Sequence, residues 1–187
     1  MLRLVIRDML PTSGKLLVDN VEVPKMARSK VHHLRRKVGM IFQDFKILSD
    51  RTVYENIAIA LEIVGKKPDQ IKKEVADALS LVDLPDKGLK FPAQLSAGEL
   101  QRISIARAMV MGPKIILADE PTGNLDPENA WNVMKILQEI NKLGTTIVMA
   151  THNVELVNQM KKRTITVTGG KIIKDEKQGG YTKRHNV

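Results

Sequence analysis

The stretch LSAGELQRISIARAMVMGPKIILADEPTGNLD, residues Leu95 to Asp126, decides the fold of this 187-residue chain. Its segment Lys114–Ala118 predicts a strand that is buried on both faces, and Asp119 and Glu120 follow it directly. Ligands of α/β proteins bind beyond the carboxyl ends of such strands. One carboxylate in that position can hold Mg²⁺, and a second can polarise a water that attacks a phosphate. The stretch therefore predicts magnesium-dependent chemistry on a phosphate.

The beginning of the same stretch predicts a helix with a phosphate-binding start. Ser96 and Glu99 form a capping box that opens a helix running to about Val110. The free N–H groups and positive dipole end of a helix N-terminus can bind phosphate, Ser96 adds a hydroxyl, and Gly98 permits close backbone approach. An ordinary helix cap has the same pattern. The residues that follow, Leu100-Gln101-Arg102 and IARA at 105–108, make the functional interpretation much more specific.

Outward from this stretch, strands alternate with helices. Val38–Phe42 predicts a short buried strand that ends at Gln43, and Thr145–Ala150 predicts another buried strand before Thr151-His152. Such alternation predicts a parallel sheet with helices on its faces. Residues 52–112 interrupt the alternation with predicted helices alone, so we expect an inserted helical subdomain there.

The remaining elements are predicted from local signals, within one domain over 1–187. They are the end of a helix in residues 1–9, a strand at Lys15–Asp19, a basic helix at Ser29–Lys37, helices from Thr52 to Val64 and Pro68 to Val82, a helix capped by Asp126 and ending at Gly144, a short helix at Asn153–Met160, a hairpin over Thr164–Lys174 that turns at Gly169-Gly170, and a mobile polar tail at 175–187.

The composition argues against several kinds of site and partner. The chain has no cysteine, which excludes disulfides and thiolate metal sites, and no apolar run approaches the ~18 residues that span a bilayer. The net charge of +9 is concentrated in a basic cluster that lacks interleaved aromatic residues, so we expect no nucleic-acid partner. A solvated basic face, near anionic lipid headgroups, is the favoured interpretation of this cluster: Lys25, Arg28, Lys30, Arg35, Arg36 and Lys37.

Five motifs in order resemble those of the ATP-binding subunit of ABC transporters, and the match runs from Met1 to about Lys174. Gln43 resembles the Q-loop glutamine, and LSAGE at 95–99 resembles the signature motif. ILADE resembles the Walker B motif, Asn124-Leu125-Asp126 the D-loop, and His152 the switch histidine. The resemblance implies a P-loop NTPase fold of the RecA-like ABC ATPase type, with ATP and Mg²⁺ as cofactors.

The resemblance also implies a role for each site residue. Glu120 would activate water, Asp119 and Gln43 would serve Mg²⁺, and His152 would hold the γ-phosphate. The subunits would form a head-to-tail homodimer in which one subunit completes the ATP site of the other. The residues expected to act on nucleotide across this dimer are Ser96, Ala97, Gly98, Glu99 and Asp126.

Within the family, GMIFQD at 39–44 and DRTVYEN at 50–56 resemble the FtsE-type cell-division branch. That resemblance implies an FtsX-like integral membrane partner, docked by helices 52–82 and the Gln43 loop. It also implies a peripheral location on the cytoplasmic face of the plasma membrane, at the division septum. LADEPTGNLD and MATHN are shared with the lipoprotein-release and macrolide-export group, so an ATPase of that group is the alternative. A catalytically silent binding subunit also stays open, whereas no coiled-coil insertion or zinc-ligand cluster supports a DNA-repair ATPase.

Two departures from the family pattern stand out. Ala97 replaces the first glycine of the signature, which a helix N-terminus should tolerate. The 187 residues contain no Walker A loop, GxxGxGK followed by Ser or Thr, and no preceding aromatic residue for adenine. Losing three charge-assisted hydrogen bonds of about 1.5–3 kcal/mol each would weaken ATP binding by roughly three to six decades. We therefore expect an N-terminally truncated sequence, with codons for the loop in frame upstream of Met1.

Overall fold

The computed structural model describes residues 1–177. Its helices are α1 (Leu2–Val5), α2 (Val31–Lys37), α3 (Val53–Glu62), α4 (Pro68–Leu81), α5 (Ala97–Met109), α6 (Pro127–Lys142) and α7 (Val154–Met160). Its strands are β1 (Leu17–Val18), β2 (Val21–Glu22), β3 (Val38–Ile41), β4 (Ile115–Asp119), β5 (Thr146–Ala150), β6 (Thr164–Thr168) and β7 (Lys171–Glu176). The described residues divide into two compact units, one over Met1–Ala150 and one from Thr151 onward, and the single domain expected over 1–187 stays a prediction.

The first unit is built on a parallel sheet in the order β3-β4-β5, as the alternation predicted. Ile41 pairs with Ala118, and Asp119 pairs with Ala150, so the three carboxyl ends lie at one edge. Ile116, Leu117 and Ala118 are almost completely buried. Gly39 has no room for a side chain, because a Cβ there would collide with the backbone oxygen of Ala108. The helix α5 therefore packs its backbone directly on β3.

The predicted burial of β5 is wrong. Its residues alternate between exposed and half-buried, and Val148 is 39% exposed. Side chains of a strand alternate between its two faces, so the face with Ile147 and Met149 is half-buried while Thr146 and Val148 on the other face are exposed. Within the described residues, β5 also pairs only with β4 and forms the edge of the sheet.

The predicted elements at the N-terminus need correction. The predicted helix over residues 1–9 ends at Val5, because Arg7 takes a left-handed φ of 52° and the Asp8 and Met9 amides both donate to the Arg3 carbonyl. The predicted strand Lys15–Asp19 is half of a tight hairpin, β1–β2, with Asp19 and Asn20 in left-handed conformations at its turn. The predicted helix from Ser29 begins with a 3-10 turn at Arg28–Lys30 before α2.

The helices between β3 and β4 follow their local signals. Thr52 and Ser96 both form the capping boxes that the sequence predicted, at the starts of α3 and α5. Pro68 begins α4, and these three helices pack on one another within the first unit. They lie in the chain between two strands of the sheet, and the helical subdomain expected over 52–112 stays a prediction.

The second unit, over its described residues, contains α7 and the antiparallel hairpin β6–β7. The hairpin turns at Gly169 and Gly170, both with positive φ, as predicted. The strand β7 runs to Glu176, and Asp175 accepts two hydrogen bonds from Arg163, so the first residues of the predicted tail 175–187 are strand. Residues 178–187 of that tail lie outside the described residues.

Candidate functional site

The carboxyl ends of β3 and β4 bring Gln43 and Glu120 together. Gln43 lies two residues past Ile41, and Glu120 directly follows β4. A Cβ built on Gly123 would lie 3.2 Å from the Gln43 Nε2 and 3.6 Å from the Glu120 Cβ. The Asn124 amide also donates to the Gln43 carbonyl at 3.4 Å. The Q-loop glutamine, the acidic pair and the D-loop thus form one group at this edge of the sheet.

Glu120 sits in a constrained turn. Its φ of 47° is left-handed, its amide donates to the Ala150 carbonyl at 2.9 Å, and its carbonyl accepts from Gly123 at 3.1 Å. Such a conformation is costly for a residue with a side chain, and it persists where the surroundings hold it. Here the hydrogen bonds on both sides hold it, so the direction of Glu120 from the strand end is fixed.

The donor set at this edge fits a magnesium ion that is shared with phosphate. Among the described residues, no three His, Cys, Asp or Glu side chains come together as a metal site. Mg²⁺ in nucleotide sites takes only one or two protein oxygens and completes its shell with phosphate and water. The Asp119 carboxylate and the Gln43 amide oxygen, at the ends of neighbouring strands, are donors of that kind and number.

The start of α5 carries Ser96 and Glu99 in a reciprocal cap. The Ser96 Oγ accepts from the Glu99 amide at 3.3 Å, and the Glu99 carboxylate accepts from the Ser96 amide at 2.8 Å. Lys87 pairs with the other carboxylate oxygen at 2.8 Å. The hydrogen bond from Lys87, followed by those from Ser96, lowers the pKa of Glu99 to about 2. Glu99 is therefore ionised at neutral pH and holds the helix start in shape.

The alanine in the signature causes no strain. Ala97 is the first residue of α5 and is absent from the residues with positive φ, so the expected tolerance of alanine is confirmed. Gly98, in contrast, is buried, and a Cβ there would collide with the side chain of Asn129. Asn129 belongs to α6 and donates to both carboxylate oxygens of Asp126, at 3.0 and 2.6 Å. The signature glycine thus packs against the D-loop cap of its own chain.

The Asp126 carboxylate caps α6, as predicted. The side-chain hydrogen bond from Asn129, followed by the backbone one, lowers the pKa of Asp126.

His152 lies in the second unit, two residues beyond β5, and its expected position at the γ-phosphate stays a prediction. The roles of Ser96, Ala97, Glu99 and Asp126 across a dimer also stay predictions.

Sequence reasoning missed two residues that shape the loop after Gln43. Arg107 donates to the carbonyls of Phe45 and Lys46, and the buried side chain of Asn56 makes four hydrogen bonds around Leu48 and Thr52. The signal for Asn56 is a polar residue inside the apolar stripe of α3. The signal for Arg107 is only its place in IARA, because its partners are 61 and 62 residues away.

An apolar cavity of about 430 Å³ lies at the opposite end of the sheet. Its lining includes Val38, Ile115 and Thr146, the first residues of the three parallel strands. None of the predicted site residues lines it. The cavity is therefore separate from the predicted chemistry.

The family comparison agrees with this geometry. Residues 1–123 match the ABC transporter family. The cell division ATP-binding protein FtsE of Bacillus subtilis is 50% identical over 180 residues, which cover 96% of this chain and 79% of that protein. FtsE of Escherichia coli K12 is 43% identical over 91% of this chain and 77% of its own length. A methionine import ATP-binding protein of Carboxydothermus hydrogenoformans is 45% identical over 88% of this chain but only 49% of its own.

Solved structures give the same result for the fold. A dimeric ATP-binding cassette in a post-hydrolysis state with ADP and Pi superposes with a TM-score of 0.85 at 30% identity, covering 96% of this chain and 80% of its own. A Clostridium perfringens cassette from an ABC transporter complex gives a TM-score of 0.86 at 29% identity, covering 95% and 71%. Among the described residues, no helix has both the length and the apolar character that a membrane crossing requires. The chain therefore belongs to the ABC transporter family, as one of its ATP-hydrolysing subunits, and it resembles the FtsE cell-division proteins in sequence.

Proposed function

We propose that this chain is the ATPase subunit of an FtsE–FtsX-type complex in cell division, where ATP hydrolysis drives a membrane partner. The observation that carries the proposal is the 50% identity to a protein named FtsE, over 96% of this chain. A partner in the membrane agrees with the family, and the described residues contain no spanning helix of their own. The resemblance to FtsE supports a peripheral location on the cytoplasmic face of the plasma membrane, at the septum.

The chemistry is assigned to the edge where β3 and β4 end. Glu120 orients and polarises the water that attacks the γ-phosphate, and the fixed turn after β4 keeps its carboxylate there. Asp119 and Gln43 would hold Mg²⁺, which would neutralise phosphate charge when it is bound. By the same resemblance, His152 would contact the γ-phosphate.

The nucleotide site is completed across a homodimer. Ser96 and the backbone at Gly98 face the ATP held by the other subunit, together with Ala97, Glu99 and Asp126. A similar cassette was solved as a dimer with ADP and Pi, which supports this arrangement. In this chain Ser96 and Ala97 are exposed at the start of α5, where free N–H groups can meet a phosphate.

The membrane partner docks beside the loop that follows Gln43. Three large apolar side chains are exposed on this loop and on α3 with its C-terminal end: Leu48 at 41%, Ile59 at 37% and Ile63 at 63%. Exposed apolar side chains of this kind suit a helix from another protein. Docking there places the partner next to Gln43, which is how hydrolysis and partner movement would be coupled.

The 187 residues taken alone should bind ATP weakly, because no Walker A loop is among them. A calorimetric titration of residues 1–187 with MgATP should give a Kd weaker than about 1 mM, whereas the native protein should bind much more tightly if its intact mass exceeds 20.9 kDa. A native mass of 20.9 kDa with no ATPase activity would favour the silent binding subunit instead.

The subsystem is tested by isolating the native complex. We expect the protein to co-purify with an FtsX-type membrane protein and its depletion to produce cells with a division defect. Co-purification with a lipoprotein-release or macrolide-export permease, or a transport defect without a division defect, would contradict the proposal. An E120Q variant should keep the partner but lose ATP turnover, by roughly 100-fold or more.

A further inference from the structure

The loop after Gln43 adopts a backbone that its own residues do not favour. Phe45 and Lys46 are consecutive and both left-handed, with φ of 58° and 49°. Side chains disfavour that region, so a pair of such residues needs support from its surroundings. The ion pair between Asp44 and Lys46 is exposed at both ends, so it contributes little. Two backbone hydrogen bonds within the loop, from the Phe45 amide to the Phe42 carbonyl at 3.3 Å and from the Lys46 amide to the Asp44 carbonyl at 2.6 Å, hold part of this turn. The carbonyls of Phe45 and Lys46 are held by another element.

Arg107 of α5 supplies that support. Its Nη1 donates to the Lys46 carbonyl at 2.7 Å, and its Nη2 donates to the Phe45 carbonyl at 2.9 Å. A planar guanidinium places donors on two nitrogens in a fixed fork that fits two neighbouring acceptors, a geometry that the single ammonium nitrogen of lysine does not reproduce. Burial lowers the pKa of Arg107, so its charge lies in a partly desolvated place where the two carbonyls are its partners. The two hydrogen bonds join the signature helix to the loop.

The two hydrogen bonds from Arg107 to the carbonyls of Phe45 and Lys46 form what we call the Arg107 clamp. Gln43 lies between this clamp and the D-loop. Its carbonyl accepts from Asn124, and its side-chain amide lies against Gly123. The backbone continues from Gln43 through Asp44 to the two carbonyls that Arg107 holds. A change in the position of Phe45 and Lys46 must therefore be absorbed within two residues of the Gln43 side chain.

We propose that Arg107 is a positioning residue for Gln43, which it holds in place through the carbonyls of Phe45 and Lys46. The inference rests on the proposed function of Gln43 at the nucleotide. Helix α5 is capped by Ser96, where the nucleotide of the other subunit would bind, and carries Arg107 three turns later. The clamp therefore makes the Gln43 loop move together with the phosphate-binding helix start.

The test uses the native protein and its R107M, R107K, Q43A and Q43A/R107M variants. Amide hydrogen exchange in residues 44–48 is measured without nucleotide, and kcat and KM are measured with MgATP. We expect R107M to speed exchange in the loop by roughly tenfold or more and to lower kcat by roughly 10–100-fold, with KM nearly unchanged. R107K keeps the charge but replaces the rigid two-nitrogen fork with a single ammonium nitrogen, so its kcat should lie between those of wild type and R107M.

The matched control is R102M on the same helix. Arg102 also donates to two backbone carbonyls, those of Val82 and Asp83 at 3.3 Å each, but these lie far in sequence from the Gln43 loop. We expect R102M to leave both loop exchange and kcat near their wild-type values. Equal effects from R102M and R107M would show a general loss of structure and would overturn the proposal.

The double variant separates positioning from general damage. If Arg107 acts through Gln43, Q43A/R107M should lose no more kcat than Q43A alone. Multiplied losses, or unchanged loop exchange in R107M, would overturn the proposal. If Q43A leaves kcat unchanged while R107M still loosens the loop, the clamp stands as a structural link and the proposed function of Gln43 fails.

Discussion

At the residue scale, Glu99 should make stability depend on pH. Its folded pKa, about 2, is depressed below the usual 4.5, so its contribution is complete above pH 4.5 and is lost as pH falls towards 2. The carboxylate is near the surface, and solvent screening reduces the effect to about 1–2 kcal/mol. Urea unfolding is measured at pH 6 and at pH 2.5 for wild type and for E99Q. Between these two pH values, the free energy of unfolding should fall by about 1–2 kcal/mol more for wild type than for E99Q. An equal loss in both proteins would contradict the assignment.

Gly98 should be intolerant of even one methyl group, for a reason inside its own chain. A Cβ there meets the Asn129 side chain, so Gly98→Ala should lower the free energy of unfolding by about 1–3 kcal/mol. The matched control is Gly88→Ala, where the added Cβ makes only ordinary contact at 3.6 Å with Leu79. Combining Gly98→Ala with Asn129→Ala should recover part of the loss in a double-mutant cycle. If the losses in free energy of unfolding of the two single variants simply add, the collision at Gly98 is relieved at some place other than Asn129.

At the scale of elements, local signals predicted the helices and missed what depends on distant partners. The capping boxes at Thr52 and Ser96 each lie within four residues, and both are present. The burial of β5 could not be predicted, because it depends on which distant elements pack on its two faces. The β1–β2 hairpin was missed although Asp19-Asn20 is a recognisable turn for left-handed backbone.

The same limit applies to the candidate site: local motifs could be predicted from the sequence, and contacts with distant partners could not. The resemblance implied that Gln43 and Glu120 serve one site, and the register of β3 on β4 brings the ends of their two strands side by side. The clamp by Arg107 spans 61 residues and ends on backbone carbonyls, which carry no sequence signature. A contact whose acceptor is backbone is invisible to motif reasoning, so only the fold reveals it.

Helix α3 should hold the loop that follows Gln43 in place through the side chain of Asn56. This side chain is completely buried, accepts from the Leu48 amide at 2.8 Å, and donates to the carbonyls of Leu48, Arg51 and Thr52. Asn56→Ala leaves these groups without their partner, so the free energy of unfolding should fall by about 2–4 kcal/mol. Urea denaturation measures this change.

Two further variants sharpen that test. Asn56→Asp keeps the acceptor but loses the donor, so it should be nearly as destabilising as alanine. Asn141→Ala removes one hydrogen bond from an exposed side chain, to the Thr145 carbonyl at 2.9 Å, and should cost less than about 1 kcal/mol. A similar small cost for Asn56→Ala would show that water replaces its hydrogen bonds and that the loop does not depend on α3.

At the scale of the whole molecule, the proposed site is shared between two subunits. In the proposed head-to-tail dimer, Glu120 of one subunit and Ser96 of the other would serve the same ATP. Ser96→Asp keeps a good helix cap but adds a negative charge where phosphate would bind, and E120Q removes the group that polarises water. Each variant alone damages both sites of its dimer, so each should have very little activity.

Mixing the two variants then tests the composite site directly. In a mixed dimer one site carries both substitutions and the other carries neither. Random pairing makes half of the dimers mixed, each with one intact site, so the mixture should regain about a quarter of wild-type ATPase activity. Activity that stays at the level of the separate variants after subunit exchange would mean that Ser96 and Glu120 act on the same nucleotide within one chain.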